Sequence, residues 1–115
     1  MEALELAKKI VGILDNKKAQ DIKLLKVEDL TVLADYFVIA SGSSSTQVGA
    51  LTDEVDFQLG QAGVQPLRIE GAKTRSWVLL DYGAVVVHIF YPEQREFYAL
   101  ERMWADAETV EIDLD

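Results

Sequence analysis

The run Tyr36-Phe37-Val38-Ile39-Ala40 constrains this chain most. Consecutive apolar, β-prone residues without polar alternation predict a central strand buried on both faces. Ser41-Gly42-Ser43-Ser44-Ser45 breaks the run and supplies candidate N-caps for a helix. That helix carries Val48, Leu51, Val55, Leu59 and Ala62 at steps of three, four, four and three, and Gly60 and Gly63 mark its end.

The flanking segments supply the other layers. Residues 2–16 read as a helix, with Leu4, Ala7, Val11 and Leu14 in register and Leu6, Ile10 and Ile13 widening the stripe. So wide a stripe leaves two arrangements open, cover on two sides or a share in a dimer seam. Asp21 to Val27 and Leu67 to Glu70 read as strands, and Gly71 to Arg75 as a polar loop. Trp77 to Leu80 and Ala84 to Phe90 are strands joined through Asp81-Tyr82-Gly83, a connection with hairpin chemistry. Pro92 suits the first turn of a last helix, in which Phe97, Leu100 and Trp104 face one way. The expected fold is α/β (α+β), a single domain over residues 1–105 with a mixed sheet of about five strands and flanking helices. Residues 106–115 hold five acids and no base, and are expected to fray as an acidic tail.

A chain of 115 residues has room for one core. It has no cysteine, which excludes disulfides, thiol nucleophiles and zinc-thiolate sites. Charged residues interrupt the N-terminal stretch, so no signal peptide is expected, and nothing approaches the roughly 18 apolar residues of a membrane span. The default expectation is a soluble cytoplasmic protein. Twenty acids against eleven bases give a net charge of −9. Lys and Arg are scattered, which disfavours direct, sequence-specific nucleic-acid binding, while a negative surface attracts basic proteins.

Catalytic chemistry finds few groups to work with. His88 is the single histidine and lies inside a strand, where a half-buried, hydrogen-bonded packing role is expected. The serine run lacks the endings of a P-loop or a dinucleotide motif and reads as a helix cap. Asp53, Glu54 and Asp56 fall on one helix and diverge toward solvent, so they do not converge on a metal. No catalytic residue, cofactor or metal is expected. Trp77, Asp81, Tyr98, Glu101 and Arg102 put aromatic rings beside charges, as interface anchors do. An edge tryptophan that merely caps the core is the alternative.

Taken in order, several segments resemble the ribosomal silencing factor family, RsfS or Iojap-like, over nearly the whole chain. They are Ala19–Ile22, Asp35–Gly42, Ser45–Val48, Glu70-Gly71, Trp77–Gly83, Val87–Phe90 and Arg95–Trp104. The resemblance implies a nucleotidyltransferase-like fold and binding to ribosomal protein L-fourteen of the large ribosomal subunit. A bound member keeps the small subunit from joining and represses translation when nutrients fall. It implies stoichiometric action, and some members are described as homodimers. On this reading Trp77 and Tyr98 are anchors, Glu70, Asp81 and Glu101 face basic residues of the partner, and His88 adds a hydrogen bond. Thr46 stands where members commonly carry a basic residue, and Met103 replaces a common leucine. Two other functions compete, a nucleotide-transferring enzyme with an unusual metal site and a generic acidic adaptor. For the enzyme, the strand from Trp77 brings one carboxylate, Asp81, and the next strand none, too few for two-metal chemistry.

Overall fold

A computed structural model describes residues 1–112, with Phe97 in its backbone only. The apolar run forms β2 (Tyr36–Ser41), every residue of which is buried except the part-buried Tyr36. It lies between β5 (Val85–Phe90), to which it runs parallel, and β1 (Gln20–Lys26), to which it runs antiparallel. The buried β5 is its natural neighbour, because two strands with no polar face both need cover on each side. The hairpin adds β4 (Trp77–Asp81), and β3 (Arg68–Glu70) pairs with it antiparallel at one edge.

Between β2 and β3 runs α2 (Ser45–Gln61). Its N-cap is Ser44, whose hydroxyl accepts from the Gln47 amide at 3.1 Å. Gln47 in turn donates to the Lys18 carbonyl, so the serine run works as a cap tied to the preceding loop. The broad stripe of α1 (Ala3–Asn16) is explained by cover on two sides, since Leu6, Ala7, Ile10, Val11, Ile13 and Leu14 are buried between the sheet and α2.

Two expectations need correction. The last helix is not continuous. Ala99 takes a left-handed conformation with φ 48° and divides it into α3 (Pro92–Tyr98) and α4 (Leu100–Met103). The turn buries Leu100 and packs Trp104 on the sheet, while the side chain of Phe97 lies outside the described residues. Nor does the acidic segment fray throughout. Glu108–Thr109 forms β6, pairing with Leu25 and Lys26, and the Val110 amide donates to the Leu24 carbonyl at 2.8 Å. Val110 and Ile112 pack on the core, and the pairing covers an edge of β1 that would otherwise be open. Residues 113–115 lie outside the described residues. Among the described residues the sheet therefore has six strands, in the order β3-β4-β5-β2-β1-β6, against about five expected.

The two faces of the sheet differ. Leu24, Val38, Ala40, Val78, Leu80, Val87 and Ile89 meet α1 and α2. Leu25, Phe37, Ile39, Val86 and Phe90 point the other way, where Leu100 and Trp104 provide the cover. That cover stops short of β4.

Candidate partner-binding site

Alternation along β4 buries Val78 and Leu80 and leaves Trp77, Leu79 and Asp81 part-exposed on the second face. Register brings Phe90 opposite Trp77, His88 opposite Leu79 and Val86 opposite Asp81. The result is an open groove of about 350 Å³ with Phe37, Trp77, Leu79 and His88 in its walls. Leu33 and Met103 stand on its rim, 75 % and 73 % exposed.

Trp77 is held on several sides. Its ring stacks on Phe90 with centroids 5.1 Å apart, and Tyr98 lies against it at 4.7 Å. The indole Nε1–H donates to His88 Nδ1 at 3.2 Å. His88 is only 4 % exposed, deeper than the half-buried position expected, and Phe37 meets its ring edge-on at 4.9 Å. Burial pushes the imidazole down to about pKa 4, so it is neutral near pH 7. With Nδ1 accepting, the neutral ring carries its proton on Nε2. That nitrogen is buried and has no hydrogen-bond partner among the described residues.

The carboxylates are less free than their sequence positions suggest. One oxygen of Asp81 accepts from the Gly83 amide at 2.8 Å, closing the hairpin, and the other lies 3.4 Å from Arg68 Nε. Glu70 lies 3.6 Å from the same guanidinium and is mostly exposed. Glu101 accepts from Arg95 Nε at 2.7 Å and from Lys23 Nζ at 2.8 Å. The Arg95 hydrogen bond, helped by Lys23 and opposed by burial, holds its carboxyl at about pKa 2. Glu101 sits in a separate hollow with Asp21 and Lys23. The fold thus gathers Trp77, His88 and Tyr98, sets Asp81 and Glu70 at one end, and places Glu101 elsewhere.

Sequence reasoning passed over Leu33, Arg68 and Leu79, and marked Met103 only as standing in place of a common leucine. Leu79 shares its parity with Trp77 and Asp81, and that signal was available. Arg68 meets Asp81 only through the β3–β4 register, which no local pattern reveals. Among the described residues no group of three or more His, Cys, Asp or Glu could hold a metal ion. On α2, Glu54 is taken up by Gln58 and Lys17.

The family model "Ribosomal silencing factor during starvation" matches residues 1–115. The chain belongs to the RsfS family. It is 38 % identical over 113 residues to the ribosomal silencing factor RsfS of Halalkalibacterium halodurans, covering 98 % of this chain and 97 % of that one. A crystal structure of a protein from Chromobacterium violaceum superposes with a TM-score of 0.89 at 35 % identity, covering 100 % of this chain and 95 % of that one. The mouse "Mitochondrial assembly of ribosomal large subunit protein 1" is 33 % identical over 98 residues, 83 % of this chain and 43 % of that protein. The RsfS description is that of a silencing factor. Thr46 is exposed in the first turn of α2. Met103 is the groove-rim residue already described, so a leucine or methionine there shapes a surface and not the core.

Proposed function

We propose that this chain represses translation by docking on the large ribosomal subunit in the cytoplasm, through ribosomal protein L-fourteen, so that the small subunit cannot join when nutrients fall. The observation that carries this reading is the groove beside Trp77. A part-exposed indole, braced by Phe90, Tyr98 and His88, borders an apolar hollow that no element of the described chain fills. Rigid aromatic anchors beside shaped hollows are where binding energy concentrates. The family description supports a ribosomal role, and the name of the mouse relative points to the large subunit. A net charge of −9 suits a basic partner and speeds its encounter.

Within the proposed site Trp77 and Tyr98 are the contact rings, and Glu70 is the carboxylate with most freedom to meet a cation. Asp81 shapes the hairpin end and His88 acts from behind the surface, while Glu101 stays in its separate hollow with Arg95 and Lys23. Sedimentation with purified subunits tests the function. The protein should travel with large subunits and not with small ones, and should lower the yield of joined ribosomes in proportion to its amount. Absence from the large-subunit fraction, or unchanged joining at saturation, would refute it.

A further inference from the structure

The buried His88 is not explained by packing. Its Nε2 is enclosed with no hydrogen-bond partner among the described residues, and an enclosed unpaired donor destabilises a fold. An apolar side chain of similar size would fill the site between Phe37 and Phe90 without that penalty. What an apolar residue could not supply is the acceptor at Nδ1, which the Trp77 indole N–H meets at 3.2 Å. Trp77 heads β4 one residue after the exposed stretch 71–75, where a ring held by packing alone would have several rotamers open to it.

We propose that His88 is a positioning residue of the docking face, whose Nδ1 turns the Trp77 indole N–H inward and fixes the ring in one orientation beside the groove. The inference rests on the docking reading given above. With the N–H satisfied inside the protein, the ring presents carbon surface to the partner and binding need not strip water from a free donor. Phe90 and Tyr98 limit the ring from its sides, and His88 sets its rotation. The anchor is then ordered before the partner arrives, so less rotamer freedom is lost on docking.

Nitrogen-15 NMR of the imidazole and the indole, with large-subunit binding by variants, tests this. In the unaltered protein near pH 7, His88 should carry its proton on Nε2, and the Trp77 indole proton should be protected from exchange. A proton on Nδ1, or an indole proton exchanging as in free tryptophan, overturns the proposal. His88→Leu should fold yet bind purified large subunits about tenfold more weakly, the loss of an ordered anchor. His88→Asn, whose amide oxygen offers an acceptor near the position of Nδ1, should recover binding to within about threefold. Native affinity in His88→Leu, or equal weakness in both variants, also overturns it. If His88→Leu does not fold, the tautomer and the indole exchange decide. Trp77→Ala, measured alongside, separates the two levels: native affinity there removes the docking face itself, whereas a weak Trp77→Ala with a native His88→Leu removes only the positioning role.

Discussion

Arg95 donates through Nη1 to the Ser41 hydroxyl at 2.8 Å, across 54 residues of sequence. Ser41 ends the central strand and is buried, so the bond pins α3 to the middle of the sheet. The same guanidinium holds Glu101 at the start of α4. One side chain thus secures both short helices, neither of which is long enough to be stable alone.

Arg95→Leu should therefore cost about 2–3 kcal/mol in urea unfolding, because it strands a buried hydroxyl and leaves Glu101 with Lys23 only. Glu101→Gln, which keeps one acceptor, should cost less. The carboxyl held at about pKa 2 folds best when ionised, so its contribution is present above pH 4.5 and is lost as pH falls toward 2. Because Glu101 remains about a third exposed, solvent screening limits that contribution to roughly 1–2 kcal/mol. The acid limb of the stability curve below pH 4.5 should flatten in Glu101→Gln. An unchanged limb would mean that another carboxylate governs it.

His88 acts in a higher window. Its folded value of about 4 lies below the ordinary 6.5, so the unfolded chain takes up a proton that the folded chain refuses. Stability is unaffected above pH 6.5 and falls as pH drops from 6.5 to 4, by about 3 kcal/mol in all. Thermal or urea unfolding across that range should show the decline in the parent protein and lose it in His88→Leu. A parent curve flat between pH 6.5 and 4 would contradict the buried, neutral histidine.

Much of this fold is readable along the chain because its central strands are. Tyr36–Ala40 and Ala84–Phe90 have no polar face to present, and Ser44 follows as a cap with its acceptor in the right place. The left-handed Ala99 is different. Nothing in Tyr98-Ala99-Leu100 announces it, since alanine has no preference for that conformation, and the docking of Leu100 and Trp104 imposes it. The two-residue β6 is too short for any periodicity, and it forms because β1 has an open edge. At the candidate site, residue types marked Trp77 and Tyr98. Parity along β4 also marks Leu79, while the burial of His88 and the capture of Asp81 by Arg68 are products of strand register. Register is a property of pairs of strands, which a single segment does not display.

Gly71 offers a separate test of how Trp77 is placed. It has φ +81°, and a Cβ there would lie 2.1 Å from the Trp77 carbonyl oxygen, well inside contact distance. Gly71→Ala must move the start of β4 or open the loop over residues 71–75. A loss of about 2–4 kcal/mol in stability is expected, with a changed tryptophan environment in near-ultraviolet circular dichroism. Native stability with an unaltered spectrum would show that the loop yields freely and does not help to set the ring.

Charge should show in rates more than in final affinity. A chain of net charge −9 meeting a basic partner gains association rate from long-range attraction, which salt screens within about 10 Å at 0.1 M. The on-rate for large subunits should fall steeply with added salt while the off-rate changes little. An on-rate indifferent to salt would remove electrostatic steering from the account and leave the apolar groove to explain recognition.

The rim of that groove can be altered without touching the core. Leu33 and Met103 are 75 % and 73 % exposed, so a lysine at either should shift stability by no more than about 0.5 kcal/mol. At the proposed interface the same change does two unfavourable things. It puts an ammonium where apolar surface would be buried, and it sets a positive charge against a basic partner. Leu33→Lys and Met103→Lys should each weaken large-subunit binding by about tenfold, and together by more. Phe57→Lys is the matched control, since Phe57 is also an exposed apolar residue, 61 % accessible, but lies on α2 behind the other face of the sheet. If Phe57→Lys weakens binding and the rim variants do not, the partner docks on the helical face and the groove beside Trp77 is not the site.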